Sequence, residues 1–317
     1  MELLQLYYFQ ITARYEHISA AARELHIAQP ALSQTIQRLE REVGTPLFDR
    51  TGKHIQLNDY GRIFLKYTNT VLGALSDAKA EISDALEHPR QKVTLCIQAA
   101  SSLLPDFIGK FRALYPQISF QIIQSAAYME NIPDIDLLIW SAPGKEPQMP
   151  ENDGTPLAPA AGLPAPKDSV LDKQTSCILL TEPLVIALPA GHPLARQSEV
   201  KLRELYEQPF ASLHKNSNLF CITQYYCNIA GFNPQISLSC DNPQAFRELL
   251  GLNMGIAMIP KITWPNMESC GVVTRPICDI PCYRNILLSW NKNHYLSASA
   301  LIFRDFLKDY FHNRFPS

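Results

Sequence analysis

Apolar positions recur at helical spacing through the first sixty residues, and they predict three helices in close succession. The first helix is predicted over about Leu3–Tyr15, and a short second helix opens at Ser19, whose hydroxyl suits an N-cap. The third is predicted over Gln29–Val43, with proline in its first turn and Gly44 just beyond its end. Because only residues 26–28 separate the last two helices, the pattern predicts a helix-turn-helix, which sets its second helix in the DNA major groove.

The third helix has a polar face that suits contact with bases. Leu32, Ile36 and Leu39 fall at i, i+4 and i+7 and are predicted to face the core. The outward positions are polar or small: Gln29, Pro30, Ser33, Gln34 and Gln37. Glutamine can bond adenine through both ends of its amide, and serine can donate or accept at any base edge. An ordinary solvated helix face has the same composition, but the short turn before it favours DNA.

Residues 45–57 predict two short extended arms around Thr51-Gly52, a hairpin that we name the wing. Lys53 and His54 at its tip are candidates for contact with phosphate or the minor groove. Arg50 has two equal interpretations: it contacts phosphate, or it pairs with Glu40 and holds the wing on the third helix, since a guanidinium suits both.

A long helix is predicted from Tyr60 to Glu87. Apolar or small residues alternate steps of four and three along it, and they form a seam of the kind that pairs two helices: Phe64, Thr68, Val71, Leu75, Ala78, Ile82 and Ala85. The alternative is a helix packed on its own domain. We favour dimerisation, because both ends of the helix join other folded units. Residues 88–91 break the helix and are predicted to form a hinge.

Beyond Lys92, short apolar strands alternate with helices, which predicts a parallel α/β sheet. Strands are predicted near residues 93–98, 118–124, 135–140, 184–188, 210–212, 236–239, 256–259 and 285–290, and helices near 103–115, 218–230, 243–252 and 297–311. The stretch from Ser141 to Thr175 holds seven prolines and is predicted to be a long flexible loop. It could cover a cleft, bind a partner or have no role.

Two places at the start of helices are candidates for binding a small molecule. Ligands of such folds sit between lobes, where helix N-termini offer free N–H donors that suit carboxylates. The candidates are Ala100, Ser101 and Ser102 after the first strand of this half, and Asn216, Ser217 and Asn218 before a later helix. For any single serine a plain N-cap is the simpler interpretation. His214 could add a titratable contact, although a surface histidine is the simpler interpretation there as well.

Composition limits the classes of protein that fit. The 317 residues are 46% hydrophobic, enough for two or three domains, and no apolar run reaches the ~18 residues of a membrane span. The N-terminus lacks the features of a signal peptide, so a cytoplasmic protein with eight reduced cysteines is expected. Cys-x-x-Cys pairs and zinc-like histidine spacings are absent from the sequence, and no metal or cofactor is predicted. The net charge of −2 requires cations sorted toward the DNA and suggests a dimer with two modest sites.

The head resembles the winged DNA-binding domain of LysR-type transcriptional regulators. The resemblance rests on a run of matching positions: Phe9, Ser19, Ala22, Leu25, Gln29, Pro30, Ser33, Ile36, Leu39, Glu40, Gly44, Leu47, Phe48, Arg50, Leu57 and Gly61. Two places depart from the pattern, because Ala28 replaces a Ser or Thr cap and Tyr60 is unusually bulky before Gly61. Asn58 can still cap the helix that follows.

The resemblance extends to the rest of the chain. It implies a linker helix that pairs two heads and an effector domain like a periplasmic binding protein, with two Rossmann-like subdomains. The motifs at 182–194 and 251–260 are typical of the second subdomain. By family position, Ser125 and Ala126 would also line the cleft.

The expected architecture is α/β behind an N-terminal all-α winged helix-turn-helix. The expected domains are 1–58 for DNA binding, 59–88 for the linker helix, 89–178 with 270–317 for subdomain I, and 179–269 for subdomain II.

Three functional hypotheses follow, with different partners. The first is a transcriptional regulator that binds double-stranded promoter or operator DNA and answers a small-molecule effector, for which a carboxylate is a candidate. It would act as a homodimer or homotetramer, with RNA polymerase as a further candidate partner and no membrane. The second, an enzyme acting on the cleft ligand, has no supporting motif. The third is a thiol-switched regulator that would use Cys221 or Cys278.

Overall fold

The computed structural model describes residues 1–51, 54–86, 91–124, 135–145, 174–291 and 294–316, with the backbone alone at 50, 51, 54 and 174. These residues form two compact units. The first contains the described residues up to 86 together with 135 and 294–298, and the second contains the rest. Within the described ranges, no helix is long and apolar enough to cross a bilayer. Across the same ranges, His, Cys, Asp and Glu side chains form no group that could hold a metal ion.

The head consists of three helices and a hairpin: α1 (Leu3–Tyr15), α2 (Ile18–Glu24), α3 (Gln29–Val43), β1 (Phe48–Thr51) and β2 (His54–Leu57). The predicted bounds of α1 and α3 are confirmed. Leu32, Ile36 and Leu39 are at most 1% exposed, so the predicted buried face of α3 is confirmed as well. The Phe9 ring lies at their side, 5.5 Å from the Phe48 ring of the hairpin.

The linker helix α4 runs from Asp59 to Ala85. Asn58 caps it as expected, because its side-chain oxygen accepts from Gly61 N at 2.8 Å. Gly61 is required by a close approach, since a Cβ there would lie within 3.0 Å of the Leu47 carbonyl oxygen and of Leu57. The predicted hinge over 88–91 lies, apart from Gln91, outside the described residues.

The predicted seam of α4 is wrong in its first half. Phe64 packs into the head, with its ring 5.2 Å from that of Phe9, and Thr68 is buried. The hairpin and α1 stand beside this turn of the helix, so these two side chains complete the head core of their own chain. From Val71 onward the predicted positions are exposed. Together with aromatic and aliphatic side chains nearer the start of α4, they form an exposed apolar stripe: Tyr60, Ile63, Tyr67, Val71, Leu75, Ala78 and Ile82.

The opposite side of α4 is covered by residues 294–298 of the same unit. His294 Nδ1 lies 2.9 Å from Asp77 Oδ2. Tyr295 donates its hydroxyl proton to Asp84 Oδ2 at 3.0 Å, and the Ala298 N–H donates to the same oxygen. The His294 ring fits against Gly73, where a Cβ would clash with it. One side of α4 is therefore held by its own chain, while the apolar stripe remains open.

The second unit is built on a mixed sheet of seven strands. Their order is β10-β6-β11-β5-β3-β4, with β9 also paired to β6, while β7 and β8 form a separate parallel pair. The strands are β3 (Lys92–Ile97), β4 (Ser119–Ile123), β5 (Leu137–Gly144), β6 (Gln174–Pro189), β7 (Pro209–Leu213), β8 (Gln235–Cys240), β9 (Ala257–Pro260), β10 (Val272–Pro276) and β11 (Tyr283–Asn291). The helices are α5 (Leu104–Leu114), α6 (Asn218–Ile229), α7 (Pro243–Leu250) and α8 (Ala298–Arg314).

Two predictions for this unit need correction. The large sheet is not parallel throughout, because β11 runs antiparallel to both β5 and β6. The strand predicted near 184–188 is also much longer, since β6 begins at Gln174 and pairs with β11 along most of its length. Residues 141–144 and 174–175, predicted as parts of a loop, are therefore strand. Pro143 is tolerated in β5 because it pairs with β11 beyond the point where β3 pairs on the other side. Residues 146–173 lie outside the described part of the chain.

Three hydrophobic clusters define two lobes in the second unit, one cluster in the first lobe and two in the second. The first lobe contains the described residues of 91–124, 136–182, 284–291 and 299–316, around Phe107, Phe111 and Phe303. The second lobe contains 184–282, around Phe210 and Phe246. Strands β6 and β11 cross from one lobe to the other, since Leu180 is in the first core and Leu184 in the second. Because β10 pairs with residues 185–189 of β6, the second lobe extends past the boundary expected at 269.

Candidate DNA-binding surface and effector cleft

The N-terminal half of α3 presents its polar side chains to solvent. Gln29, Pro30, Gln34 and Gln37 are exposed, and Ser33 is half-buried. This placement follows from the three apolar residues that fasten the other side of α3 to the head core. Ala28, the N-cap, has no side-chain acceptor to offer, as its residue type implies. No side chain therefore caps the first turn of α3, where Gln29 and Ala31 carry N–H groups that suit a phosphate or a base edge and Pro30 carries none.

Ser19 does not cap α2, which corrects the prediction. The N-cap lies two residues earlier, at His17, which accepts from Ala20 N at 3.3 Å, and the helix begins at Ile18. Ser19 lies in the first turn instead, and its hydroxyl donates to Gln29 Oε1 at 2.9 Å. Since the amide oxygen of Gln29 is engaged with Ser19, its NH2 group is left to donate outward.

The turn between α2 and α3 is held in a conformation that few side chains adopt. His26 has φ of 52°, in the left-handed region. Its N–H donates to Arg23 O, and the Ile27 N–H donates to Ala22 O at 3.0 Å, so the end of α2 is closed by the backbone. The direction of α3 relative to α2 is thus set before any DNA is bound.

Two carboxylates hold the wing on the head. Glu40 Oε1 accepts from the N–H groups of Leu47 at 2.9 Å and Phe48 at 3.3 Å, just before and at the start of β1. Glu16 Oε1 accepts from Leu57 N at 2.8 Å, at the end of β2. Sequence reasoning missed this use of Glu16, which lies 41 residues away from its partner. Both roots of the hairpin are therefore fixed by charge-assisted hydrogen bonds.

Contact between the tip of the wing and DNA is still a prediction. Thr51 pairs with His54, so Gly52 and Lys53 alone connect the two strands. Lys53 and the side chains of Arg50 and His54 lie outside the described residues. The two interpretations of Arg50, contact with phosphate or pairing with Glu40, both remain open.

Replacing Glu40 by alanine should loosen the wing. Two backbone N–H groups would lose a charged acceptor, and we expect the head to lose about 1–3 kcal/mol of stability. Operator affinity should fall by a similar factor on every DNA sequence, because the wing would be misplaced rather than a base contact removed. Titration of two unrelated operator fragments measures this, with Glu42→Ala on the same helix as the control. A Glu40→Ala loss confined to one base position would contradict this role.

The first candidate effector segment lies where β3 meets α5. Ala100 has φ of 56°, and its side chain is only 3% exposed, packed into the core of the first lobe. Any contact that Ala100 makes with a ligand would therefore use its backbone. Ser101 and Ser102 follow in a 3-10 turn that leads into α5, and both are half-buried. A strained non-glycine residue held by core packing is common at ligand sites.

The second candidate segment precedes α6. Ser217 caps the helix, because its hydroxyl oxygen accepts from Phe220 N at 3.1 Å. The plain N-cap, which was the simpler interpretation of this serine, is therefore what the structure shows. His214 accepts from Asn216 N through Nδ1 at 2.9 Å and closes the turn before the helix. Asn218 Oδ1 accepts from Ser141 N at 3.4 Å, which joins the start of α6 to β5 of the first lobe. The segment thus lies at the border between the lobes.

Ser102 and Tyr226 add further contacts across the same border. Ser102 donates its hydroxyl proton to the Thr263 carbonyl oxygen of the second lobe at 2.5 Å. Tyr226 Oη, on α6, lies 3.0 Å from Gly144 O and 2.6 Å from Tyr283 O. Burial raises the pKa of Tyr226 to about 12, so the hydroxyl keeps its proton at neutral pH. Ser125 and Ala126 lie outside the described residues, and their place in the cleft stays a prediction.

A buried ion pair lies where β6 and β11 pass between the lobes. Arg284 Nε donates to Glu182 Oε1 at 2.9 Å, and neither side chain is more than 4% exposed. The Glu182 carboxylate also accepts from the Ile262 and Thr263 N–H groups and from Thr263 Oγ1. Burial lowers the pKa of Arg284, and Glu182 opposes that shift. We name Glu182, Thr263 and Arg284 the hinge cluster.

Neither candidate thiol, Cys221 or Cys278, has the lowered pKa that a redox switch needs. Burial raises the pKa of Cys96, Cys227 and Cys282 to about 12. The pKa of Cys221 is raised by burial, and that of Cys278 by desolvation and by the charge of Glu199. Reactive cysteines need a lowered pKa, because the thiolate is the nucleophile. These shifts argue against a switch based on either candidate cysteine.

Comparison with known proteins agrees with this geometry. A family model described as "Bacterial regulatory helix-turn-helix protein, lysR family" matches residues 3–62, and one described as "LysR substrate binding domain" matches 171–312. The transcriptional dual regulator GltC of Bacillus subtilis (strain 168) is 31% identical over 313 residues, covering 98% of each chain.

Two further proteins are similar over nearly their whole length. YybE of the same strain, named as an uncharacterized HTH-type transcriptional regulator, is 30% identical over 317 residues, covering 98% of this chain and 99% of YybE. A full-length OxyR variant from Pseudomonas aeruginosa shares the fold, with a TM-score of 0.61 and 17% identity over 98% of this chain and 95% of OxyR. The chain therefore belongs to the LysR family of DNA-binding transcriptional regulators, and it carries the effector-binding domain of that family.

Proposed function

We propose that this regulator selects its promoter through the exposed face at the start of α3. The observation that carries the proposal is the exposure of three glutamines on a helix whose other face is buried in the head core. The residues proposed to contact bases, or to position a side chain that does, are Ser19, Gln29, Pro30, Ser33, Gln34 and Gln37. Arg50, Lys53 and His54 of the wing are proposed to bind phosphate or the minor groove.

The hydrogen bond between Ser19 and Gln29 determines which groups of the Gln29 amide face a base. With its oxygen engaged, Gln29 presents amide donors, which favours base acceptors such as adenine N7 or guanine O6 and N7. Ser19 therefore acts as a positioning residue for Gln29. The energies of Ser19→Ala and Gln29→Ala should not add, since the first substitution removes what orients the second side chain.

Selection of operators from a randomised double-stranded oligonucleotide pool tests the proposal. We expect Gln29→Ala and Ser33→Ala each to relax the preference at one or two base positions and to cost about 1–3 kcal/mol on the selected site. Lys53→Ala should instead weaken binding to all sequences alike and lower the salt dependence of affinity.

Gln197→Ala is the matched control, because it removes an exposed glutamine of the effector domain. It should leave the selected sequence and the affinity unchanged. Equal losses on every DNA for Gln29→Ala, Ser33→Ala and Lys53→Ala would refute the proposed separation between base reading and phosphate binding.

We further propose that the effector binds between the two lobes. The proposed contacts are Ala100 through its backbone, with Ser101, Ser102, Ser125, Ala126, His214, Asn216, Ser217 and Asn218. The start of the twelve-residue helix α6 supplies N–H donors and positive potential, so a carboxylate is the proposed class of effector. A change in lobe closure would then alter the spacing of paired heads on DNA.

The assembly proposed for this function is a homodimer or a homotetramer. LysR regulators form oligomers, and the apolar stripe of α4 offers a surface for a second copy of the chain. We propose that the assembly works by binding, not by catalysis, in the cytoplasm where the promoter is found. RNA polymerase is a candidate partner at the promoter.

A further inference from the structure

One hydrogen bond joins the candidate effector segment of the first lobe to the second lobe. Ser102 lies in the 3-10 turn before α5, and its neighbours Ala100 and Leu103 are in the core of the first lobe. Its hydroxyl donates to the carbonyl oxygen of Thr263, which is 161 residues away in sequence. Trp264, the next residue, is buried in the core of the second lobe. A displacement of Ser102 therefore breaks or distorts a hydrogen bond to the second lobe.

Thr263 is itself held by the other two residues of the hinge cluster, Glu182 and Arg284. Its N–H donates to Glu182 Oε2 at 2.9 Å, and its hydroxyl lies 2.8 Å from Glu182 Oε1. Arg284 donates to Thr263 Oγ1 at 2.7 Å. Because Glu182 is on β6 and Arg284 on β11, the two crossing strands and the Thr263 segment form one buried hydrogen-bonded unit. The bond from Ser102 attaches the effector turn to that unit.

The Ser102 hydroxyl can donate its proton to only one acceptor at a time. A hydroxyl carries one proton, and the proton of Ser102 is donated to Thr263. A ligand group that accepts hydrogen bonds, such as a carboxylate, can gain the same proton only if Thr263 loses it. A ligand group that donates can use the lone pairs of Ser102 and leave the bond intact.

We propose that the Ser102–Thr263 hydrogen bond is a latch between the lobes, and that an acceptor group of the effector opens it by taking the Ser102 proton. The latch restrains the Thr263 segment, and its opening frees the two crossing strands to change their angle. The inference rests on the proposed function, in which the effector contacts Ser102 and lobe geometry controls the heads. The new element is that the contact between the effector and Ser102 controls the lobe geometry.

Hydrogen exchange on the full-length protein tests the latch without any effector. The measured segment is 261–264, whose Ile262 and Thr263 N–H groups are bonded to Glu182. Loss of a single hydrogen bond predicts about two- to tenfold faster exchange in Ser102→Ala. Ser119→Ala, which removes another serine hydroxyl that donates to a carbonyl oxygen within the first lobe, should match the wild type, and Ser102→Thr should restore protection because it keeps a hydroxyl.

A footprint on the selected operator tests the regulatory role in the same four proteins. We expect Ser102→Ala alone to change the length or spacing of the protected DNA. Unchanged exchange in Ser102→Ala, or an equal rise in Ser119→Ala, would overturn the latch. Faster exchange with an unchanged footprint would overturn its regulatory role. If the wild-type protein selected no operator, the proposed function would fail instead, and the exchange measurement would still decide whether the latch exists.

Discussion

Replacing Glu182 by glutamine is expected to lower the free energy of unfolding by about 3–5 kcal/mol, because it leaves the buried Arg284 charge without its partner. The carboxylate accepts from Arg284 and from three donors of the 262–263 segment. A glutamine can offer one oxygen to these donors, and its NH2 group would face a donor in place of the second oxygen. Urea denaturation of the full-length protein measures the loss as a shift in midpoint at constant slope.

The matched control is Glu204→Gln, which breaks an exposed pair. Glu204 Oε1 lies 3.0 Å from Lys201 Nζ, and both side chains are about 60% exposed, so a change below ~1 kcal/mol is expected. Adding Arg284→Met to Glu182→Gln should recover part of the loss, because the unpaired charge is removed. A Glu182→Gln protein no less stable than Glu204→Gln would show that the buried pair does not hold the crossing strands.

The head could be predicted from sequence because its information is local. The spacing of Leu32, Ile36 and Leu39 fixes the buried face of α3, and Gly44 ends the helix in the left-handed conformation its residue type favours. Asn58 was likewise identified as a cap, from its place in the pattern that the head shares with LysR-type regulators. The cap of α2 was missed because Ser19 is a better N-cap by residue type than His17. Gln29, ten residues further on, provides an acceptor for the serine hydroxyl in the folded head.

The second unit depended on contacts between distant residues, and there sequence reasoning failed more often. Strand β11 inserts between β5 and β6, and this antiparallel pairing cannot be inferred from alternation of strands and helices. Glu182 and Arg284 are 102 residues apart, and neither belongs to a local motif that would pair them. A charged residue inside an otherwise apolar strand was the available signal, since such residues are rarely buried unless paired.

In α4, too, the sequence alone could not show which distant residues the helix contacts. Periodicity identified an apolar seam, but it could not tell which turns of the helix the head would cover. Phe64 and Thr68 lie close to the head and are buried by it, whereas Leu75 and Ile82 lie beyond its reach. The three-and-four spacing is satisfied equally by a contact within one chain and by a contact between two chains.

Placing two glutamates on the open part of that stripe, in Leu75→Glu/Ile82→Glu, is expected to convert the proposed dimer into a monomer. Leu75 is 40% and Ile82 60% exposed, so the head and the effector domain should keep their stability. In a dimer both positions would bring like charges together within a desolvated seam. Operator affinity should then fall by about 10²–10⁴-fold, because the second head no longer binds as part of the same molecule.

Sedimentation and operator titration at matched protein concentrations distinguish this loss from a general effect of negative charge. The control is Thr70→Glu/Lys79→Gln, which lowers the net charge by the same two units at exposed positions outside the stripe. It should remain dimeric and lose at most a few-fold in affinity, as expected for weakened long-range attraction to phosphate. If Leu75→Glu/Ile82→Glu stays dimeric while the control also binds normally, a different surface pairs the heads, and the open side of α4 needs another occupant.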